Sequence, residues 1–287
     1  MKKYTLTLLL TAAPLFAGTH APVLTPQANT EQGWTLGIEP MAMAPYSSSS
    51  WDKNDYNFGG RGSLGYQFSD GLFVTATYFG YGGDLTDHTV YTPAVLPVNA
   101  FSDHYSGSMS ATYIDLVLGQ NFKPTDTLKL SPFVGLRWAA AQQGATDFRT
   151  IPNPAVVGTT TTTTPIRAVR DDFQGLGIVL GIDATRALGN DFSIYGTVKQ
   201  SVLFGTSKSA DTSFAAVDTS GDTMVSISEL GLGVQYDYCF SGVAANIRLG
   251  VEGQWWAVSG TSADVGLGSN SQNVGLAGFV LGANFRF

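Results

Sequence analysis

From about residue 32 onward the chain alternates apolar and polar residues with a period of two, which puts neighbouring side chains on opposite faces of a β-strand. The run 244–258 is the plainest case. Asn246, Arg248, Glu252 and Gln254 share one face, and Ile247, Leu249, Val251, Trp255 and Ala257 share the other. Ten such segments can be marked, at 33–43, 56–68, 72–82, 107–122, 128–143, 172–188, 192–207, 224–238, 243–258 and 272–287. Their connections alternate in length, with short turns at 69–71, 123–127, 189–191 and 239–242 and long loops at 44–55, 83–106, 144–171, 208–223 and 259–271. Short links at one end and long links at the other, around an even number of strands, predict an all-β fold: a transmembrane antiparallel β-barrel with periplasmic turns and extracellular loops. An even count also brings both termini to the periplasmic side.

Closure has a physical cause, because each backbone group left unpaired in lipid costs several kcal/mol and only a sheet wrapped onto itself has no edge. The last predicted strand puts Ala277, Phe279, Leu281, Ala283, Phe285 and Phe287 on one face, and it ends the sequence on an aromatic residue. That terminal Phe287 resembles the insertion signal read by the barrel-assembly machinery. Aromatic residues near the turns, Trp34, Tyr66, Phe68, Phe122, Phe192, Tyr236, Tyr238 and Phe287, are expected to form the periplasmic girdle, with Trp138, Phe204 and Trp255 in the outer one.

Composition narrows the compartment. The 287 residues are 44% hydrophobic but only 13% charged, and 34 are glycine, against about 25% charged and 7% glycine in soluble domains. No stretch reaches the roughly 18 apolar residues of a membrane-spanning helix. Lys2 and Lys3, the apolar run Leu6 to Phe16 and the small residues after it have the order of a secretory signal. Cleavage is expected after Ala17, with Ala21 as the other small-residue option. The domain reading is therefore a signal peptide at 1–17, a periplasmic segment at 18–32 and a barrel at 33–287. Losing Lys2 and Lys3 takes the formal charge from −7 to −9, and without a basic stripe a nucleic-acid partner is not expected. The single cysteine, Cys239, cannot staple the fold. Aspartates outnumber basic residues in the predicted loops, and the run Thr159–Thr164 reads as extended surface chain. The acidic outer surface suggests contact with lipopolysaccharide through divalent cations.

The face opposite the apolar one carries Glu39, Arg61, Asp115, Lys129, Arg137, Asp183, Lys199, Glu229, Asp237, Arg248, Glu252 and Arg286. A charge facing lipid at the midplane would cost about 2–4 kcal/mol, so confinement to one parity assigns these residues to the lumen. Two readings follow: the charges line a water-filled path for ions or small polar solutes, or they pair across a tight lumen and fill it. Glycines of the same parity, Gly175, Gly177, Gly181, Gly231 and Gly233, favour space for a narrow conduit, or let the strands bend. Asp218, Ser220, Asp222, Ser226 and Glu229 have calcium-loop spacing, but Thr223 stands where a glycine is required. Gly175, Gly177 and Gly181 miss the dinucleotide spacing and precede no helix. No cofactor is expected. His88 and His104 each follow an aspartate, as in the Asp-His couple of the ten-stranded omptin proteases. Adjacent residues of an extended chain point apart, however, so no enzyme is predicted.

Phe173-Gln-Gly-Leu-Gly-Ile-Val-Leu-Gly-Ile-Asp183, Phe192-Ser-Ile-Tyr-Gly196, Leu203-Phe-Gly205, Asp115-Leu-Val-Leu-Gly-Gln-Asn-Phe122, Leu130-Ser-Pro-Phe-Val-Gly-Leu-Arg137 and Leu249-Gly-Val-Glu-Gly-Gln-Trp255 resemble the Legionella-type major outer-membrane protein family. The similarity runs in order through nearly all of the mature chain. It implies a pore-forming β-barrel in the outer membrane of a Gram-negative bacterium, exposed enough to contact host cells, and it brings no catalytic residues. The runner-up reading is a non-conducting barrel whose long loops make it an adhesin or an envelope protein.

Overall fold

The structure, a computed structural model, describes residues 32–47, 56–92, 101–152, 161–212, 217–240, 242–259 and 273–287. The expected signal peptide and the segment before residue 32 lie outside the described residues. Every regular element among the described residues is a β-strand: β1 (Gly33–Ser47), β2 (Asn57–Gln67), β3 (Leu72–Thr92), β4 (Phe101–Gln120), β5 (Phe122–Thr125), β6 (Leu128–Pro152), β7 (Thr161–Gly189), β8 (Phe192–Asp211), β9 (Val217–Phe240), β10 (Val243–Ser259) and β11 (Val274–Arg286). Each long strand pairs antiparallel with the next in sequence, and β11 pairs with β1, so the sheet closes on itself. β4 pairs directly with β6, while the four-residue β5 continues the line of β4 past Asn121. The result is a closed barrel of ten long strands.

The outward face is apolar. Along β9 it shows Tyr236, Val234, Leu232, Leu230 and Met224, and along β10 Ile247, Leu249 and Val251, all exposed. Short turns and both chain ends of the barrel sit at one end, called the turn end below. The tight link Gly189-Asn190-Asp191 takes three successive positive φ values, 105°, 53° and 64°, which a glycine and two short polar side chains adopt at least cost. Around this end Trp34, Phe68, Phe192, Tyr236, Tyr238 and Phe287 are exposed. Tyr66 packs edge-on against both Trp34 and Phe68, and Phe192 lies 5.0 Å from Tyr236. Towards the other, loop end Phe204 is exposed and Trp255 stacks on Tyr46 at 5.6 Å.

The wall is taller than the alternation predicts. Most of the expected loops 83–106, 144–171 and 208–223 is paired strand: β3 and β4 stay paired to Thr92 opposite Phe101, across a register shift between Leu85 and His88, and β6 and β7 to Pro152 opposite Thr161, across one between Asp147 and Phe148. The threonine run is corrected in the same way, since Thr161–Thr164 is strand, with Thr163 opposite Thr150. In these stretches the sequence does not alternate cleanly between apolar and polar residues, so pairing continues without a period-two signal. Asp218 to Glu229 also lies within β9, which rules out a calcium-binding loop there.

The lumen is the core of the molecule. Towards the loop end, Met41, Met43, Phe79, Tyr81, Met109, Leu203, Val225, Ile227, Trp256 and Leu276 pack inward into one buried apolar layer. The inward glycines give less space than expected. A Cβ at Gly177 would stand 1.9 Å from the Val202 carbonyl oxygen, and the rings of Phe173, Phe133 and Tyr195 lie over Gly175, Gly181 and Gly233. Those glycines let neighbouring rings and backbone close the barrel; only at Gly231 are the nearest atoms 3.8 Å away.

Candidate functional site

Below the apolar layer the inward charges form a septum at mid-height, and strand register builds it. Glu39 and Arg61 stand opposite each other on β1 and β2, Asp115 and Arg137 on β4 and β6, and Lys199 and Glu229 on β8 and β9. Each of these three acids therefore has a base on the adjacent strand, at the short distance that antiparallel pairing gives facing side chains, whereas Glu252 faces Gly231 and Gly278. Arg61 Nη1 donates to Glu39 Oε2 at 2.8 Å, and Arg137 donates to Asp115 through Nε at 2.6 Å and Nη2 at 2.7 Å. The Lys199–Glu229 pair is looser, at 3.9 Å.

The same arginines also reach across the lumen. Arg61 Nη2 donates to Glu252 Oε1 on β10 at 2.6 Å, and Arg137 Nη1 donates to Glu229 Oε1 at 2.5 Å. Tyr113 joins the two halves. Its hydroxyl donates to Glu229 Oε2 at 3.0 Å and accepts from Arg61 Nη2 at 3.1 Å, while its ring carries the Arg137 guanidinium at 3.9 Å and stacks on Phe79 at 4.7 Å. Gln254 donates to Glu252 and accepts from Trp256 Nε1, which ties the septum to the apolar layer above it. Arg137, at 0% exposure, heads the largest fully buried side chains, a group that also includes Tyr113 and Gln254. The lumen is thus shut at this level by an ion-paired layer capped by an apolar one.

Towards the turn end the lumen opens. A cavity of about 240 Å³ beneath the septum is lined by Glu39, Arg61, Asp115, Lys199 and Glu252 from above and by Asp183 and Arg248 from the sides. Thr197 donates to Asp183 at 2.7 Å, and Arg248 donates to Gln235 at 2.8 Å with its guanidinium 5.1 Å from the Tyr195 ring. A wider cavity of about 530 Å³, lined by Lys129, Asp237, Arg248 and Arg286, lies at the turn-end mouth. The inward charges picked out in the sequence therefore divide into a septum (Glu39, Arg61, Asp115, Arg137, Lys199, Glu229, Glu252) and a vestibule (Lys129, Asp183, Asp237, Arg248, Arg286). Sequence reasoning missed Tyr113 and Gln235, and it placed Gln254 on the polar face without giving it a role. The first shares its parity with Asp115 two residues on, which was the available signal.

Among the described residues no group of three or more His, Cys, Asp or Glu could hold a metal ion. Of the histidine pairs, His104 lies 6.3 Å from the Phe148 ring, and the side chains of Asp87, His88 and Asp103 are outside the described residues.

Residues 17–287 match the family described as the Legionella pneumophila major outer membrane protein precursor. The chain belongs to that family. It is an outer-membrane β-barrel protein. The outer membrane protease OmpT from Escherichia coli superposes with a TM-score of 0.54 at 12% identity, covering 92% of this chain and 99% of the protease. A major outer membrane protein from Thermus thermophilus gives 0.39 at 14% identity over 88% and 99% of the two chains. The toluene transporter TbuX of Ralstonia pickettii gives 0.39 at 11% identity over 90% of each. At such identities the likeness to OmpT speaks for the fold alone. No curated protein matches the chain.

Proposed function

We propose that this member of the family is a pore-forming protein that passes ions or small polar solutes along its charge-lined lumen, and that the described conformation is its closed state. The observation that carries this reading is the septum itself. Replacing a buried ion network by well-packed apolar residues is commonly neutral or stabilising, so seven ionisable side chains at mid-lumen are not what stability alone would select. Ionisable groups at membrane depth instead mark pathways, and an apolar ring beside them is a common gate. The vestibule gives polar solutes access from the turn end as far as the septum. In this reading the turn end and both termini face the periplasm, and the septum and vestibule residues named above line the path. No side chain is assigned a catalytic role.

The test is conductance of the purified protein in planar bilayers. Discrete steps are expected, and Glu252→Lys or Arg137→Glu should shift their ion preference; repeated silence of the native protein would reject the pore. A second reading, a non-conducting adhesin or envelope barrel, is favoured by the height of β3, β4, β6 and β7, which carry polar sheet well past the apolar band. Trimming residues 144–171 separates the two, because an adhesin would lose cell attachment while conductance, if present, would persist.

A further inference from the structure

The two arginines of the septum are held in different ways. Arg137 is fully buried, makes a two-pronged contact with Asp115 on the facing strand position and lies flat on Tyr113. Its strand is pressed against its neighbour, since a Cβ at Gly135 would stand 2.1 Å from the Leu116 carbonyl oxygen. Arg137 is not among the residues lining the cavity beneath the septum.

Arg61 borders that cavity. It sits in the shortest of the ten long strands, β2, at 11 residues, within the sequence Gly59-Gly60-Arg61-Gly62. Glycine weakens and loosens a strand interior, and the wall here is thin as well. Nothing lies within 4 Å of where a Cβ would stand at Gly62, and at Gly60 only the Glu39 carbonyl oxygen does, at 3.6 Å. Arg61 also has a counterion at each end of a swing. Releasing Glu252, Tyr113 and the Glu229 carboxylate 3.6 Å away leaves it paired with Glu39 on the facing strand, while Glu252 keeps the Gln254 donor. Arg137 could likewise keep Asp115 on releasing Glu229, but its guanidinium is fully buried and does not border the cavity into which it would have to move.

Resting on the pore reading, we propose that Arg61 is the moving latch of the closed lumen and Arg137 its fixed strut. The latch opens when the glycine-rich segment of β2 lets the Arg61 guanidinium leave Glu252 and Tyr113 for the cavity on the turn side, still paired with Glu39. That movement removes two donors from the Tyr113 hydroxyl and withdraws the guanidinium carbon that lies 5.9 Å from the Phe79 ring, so it loosens the apolar cap together with the ionic layer.

The experiment is single-channel recording of the full mature chain in planar bilayers, comparing the native protein, Arg61→Gln, and Gly60→Val with Gly62→Val together. Losing the charged hydrogen bonds of the latch should raise the opening frequency roughly tenfold or more. The double valine variant adds side chains on the lipid side only. It should lower the opening frequency below native while leaving the conductance of each open event unchanged, which a variant acting on the lumen itself would not do. Resistance to unfolding in sodium dodecyl sulfate before boiling checks that each variant is folded, and the valine variant decides the matter if Arg61→Gln is not. A native protein that conducts, with both folded variants opening as often as it does, overturns the latch and leaves the pore standing. Silence of native protein and variants alike overturns the pore, and the latch falls with it.

Discussion

Arg137→Met is the most demanding test of the septum. The substitution keeps an unbranched side chain out to about the place of the arginine Nε but removes a guanidinium that is 0% exposed and holds Asp115 at 2.6 and 2.7 Å and Glu229 at 2.5 Å. Breaking a buried pair from one side costs about 3–5 kcal/mol, because the partners stay buried with their charge uncompensated. With a urea dependence of about 3 kcal/mol per M, the unfolding midpoint should fall by about 1–2 M. The measurement is equilibrium unfolding in lipid vesicles followed by tryptophan fluorescence, for which the buried Trp256 beside the septum is a built-in reporter. The triple variant Arg137→Met, Asp115→Asn, Glu229→Gln removes the opposed charges together and should return to within about 2 kcal/mol of native. A loss below about 1 kcal/mol for the single variant, or an equal loss for the triple, would refute the claim that these charges depend on one another.

Three further outcomes follow from the wall. Leu232→Arg, inside the uninterrupted outward apolar run Leu230, Leu232, Val234, Tyr236 of β9, should cost about 2–4 kcal/mol in the same unfolding assay, while Met224→Arg, beyond the outward Ser228 and Ser226, should cost at most about 1 kcal/mol. Gly177→Ala forces a Cβ to within 1.9 Å of the Val202 oxygen and should destabilise by about 1–3 kcal/mol, whereas Gly253→Ala, with no atom within 4 Å, should leave the midpoint unchanged within error. Phe287→Ala removes an exposed ring whose own backbone N–H still bonds Trp34 at 3.0 Å, so refolding in detergent should match native while outer-membrane levels in cells drop.

What could be read from the sequence is what lipid imposes. The period of two in 243–258 is visible because one face meets acyl chains and the other does not, and the same constraint puts Arg248 and Glu252 on the inward parity. Strand ends were less legible: past Gly83 on β3 or Gly144 on β6 apolar and polar residues are mixed without a period of two, so nothing in the pattern separates paired strand from loop. The apolar cap was hidden for the opposite reason. Met41, Met43 and Leu203 sit on the inward parity next to apolar outward neighbours, and a locally uninterrupted apolar run carries no parity signal; at Ile227 the outward neighbours are Ser226 and Ser228, so the local alternation points the wrong way. Which charges pair was not legible either, because it depends on register between strands far apart in sequence, such as the 191 residues that separate Arg61 from Glu252.

Register also explains how the septum can be buried and, in the proposed pore, still open. Ten strands enclose more space than the eight whose inward side chains simply meet at the axis, so the centre is reached only by long side chains; Arg137, the largest of the fully buried side chains, supplies that length. A long cation at the axis needs an anion that folding brings to it without a search, and antiparallel pairing provides one at the facing position of the next strand, Asp115 for Arg137 and Glu39 for Arg61. Each wall pair is therefore neutral by itself, whatever happens across the lumen. The contacts that shut the barrel, Arg61 to Glu252 and Arg137 to Glu229, are additional to that neutrality. Separating Arg61 from Glu252 exchanges hydrogen bonds but leaves Arg61 beside Glu39, which keeps the cost to a few kcal/mol instead of the larger penalty of an isolated buried cation. A lumen filled by apolar side chains alone could close as tightly, but parting it to pass an ion would offer the ion no polar group in place of its hydration shell.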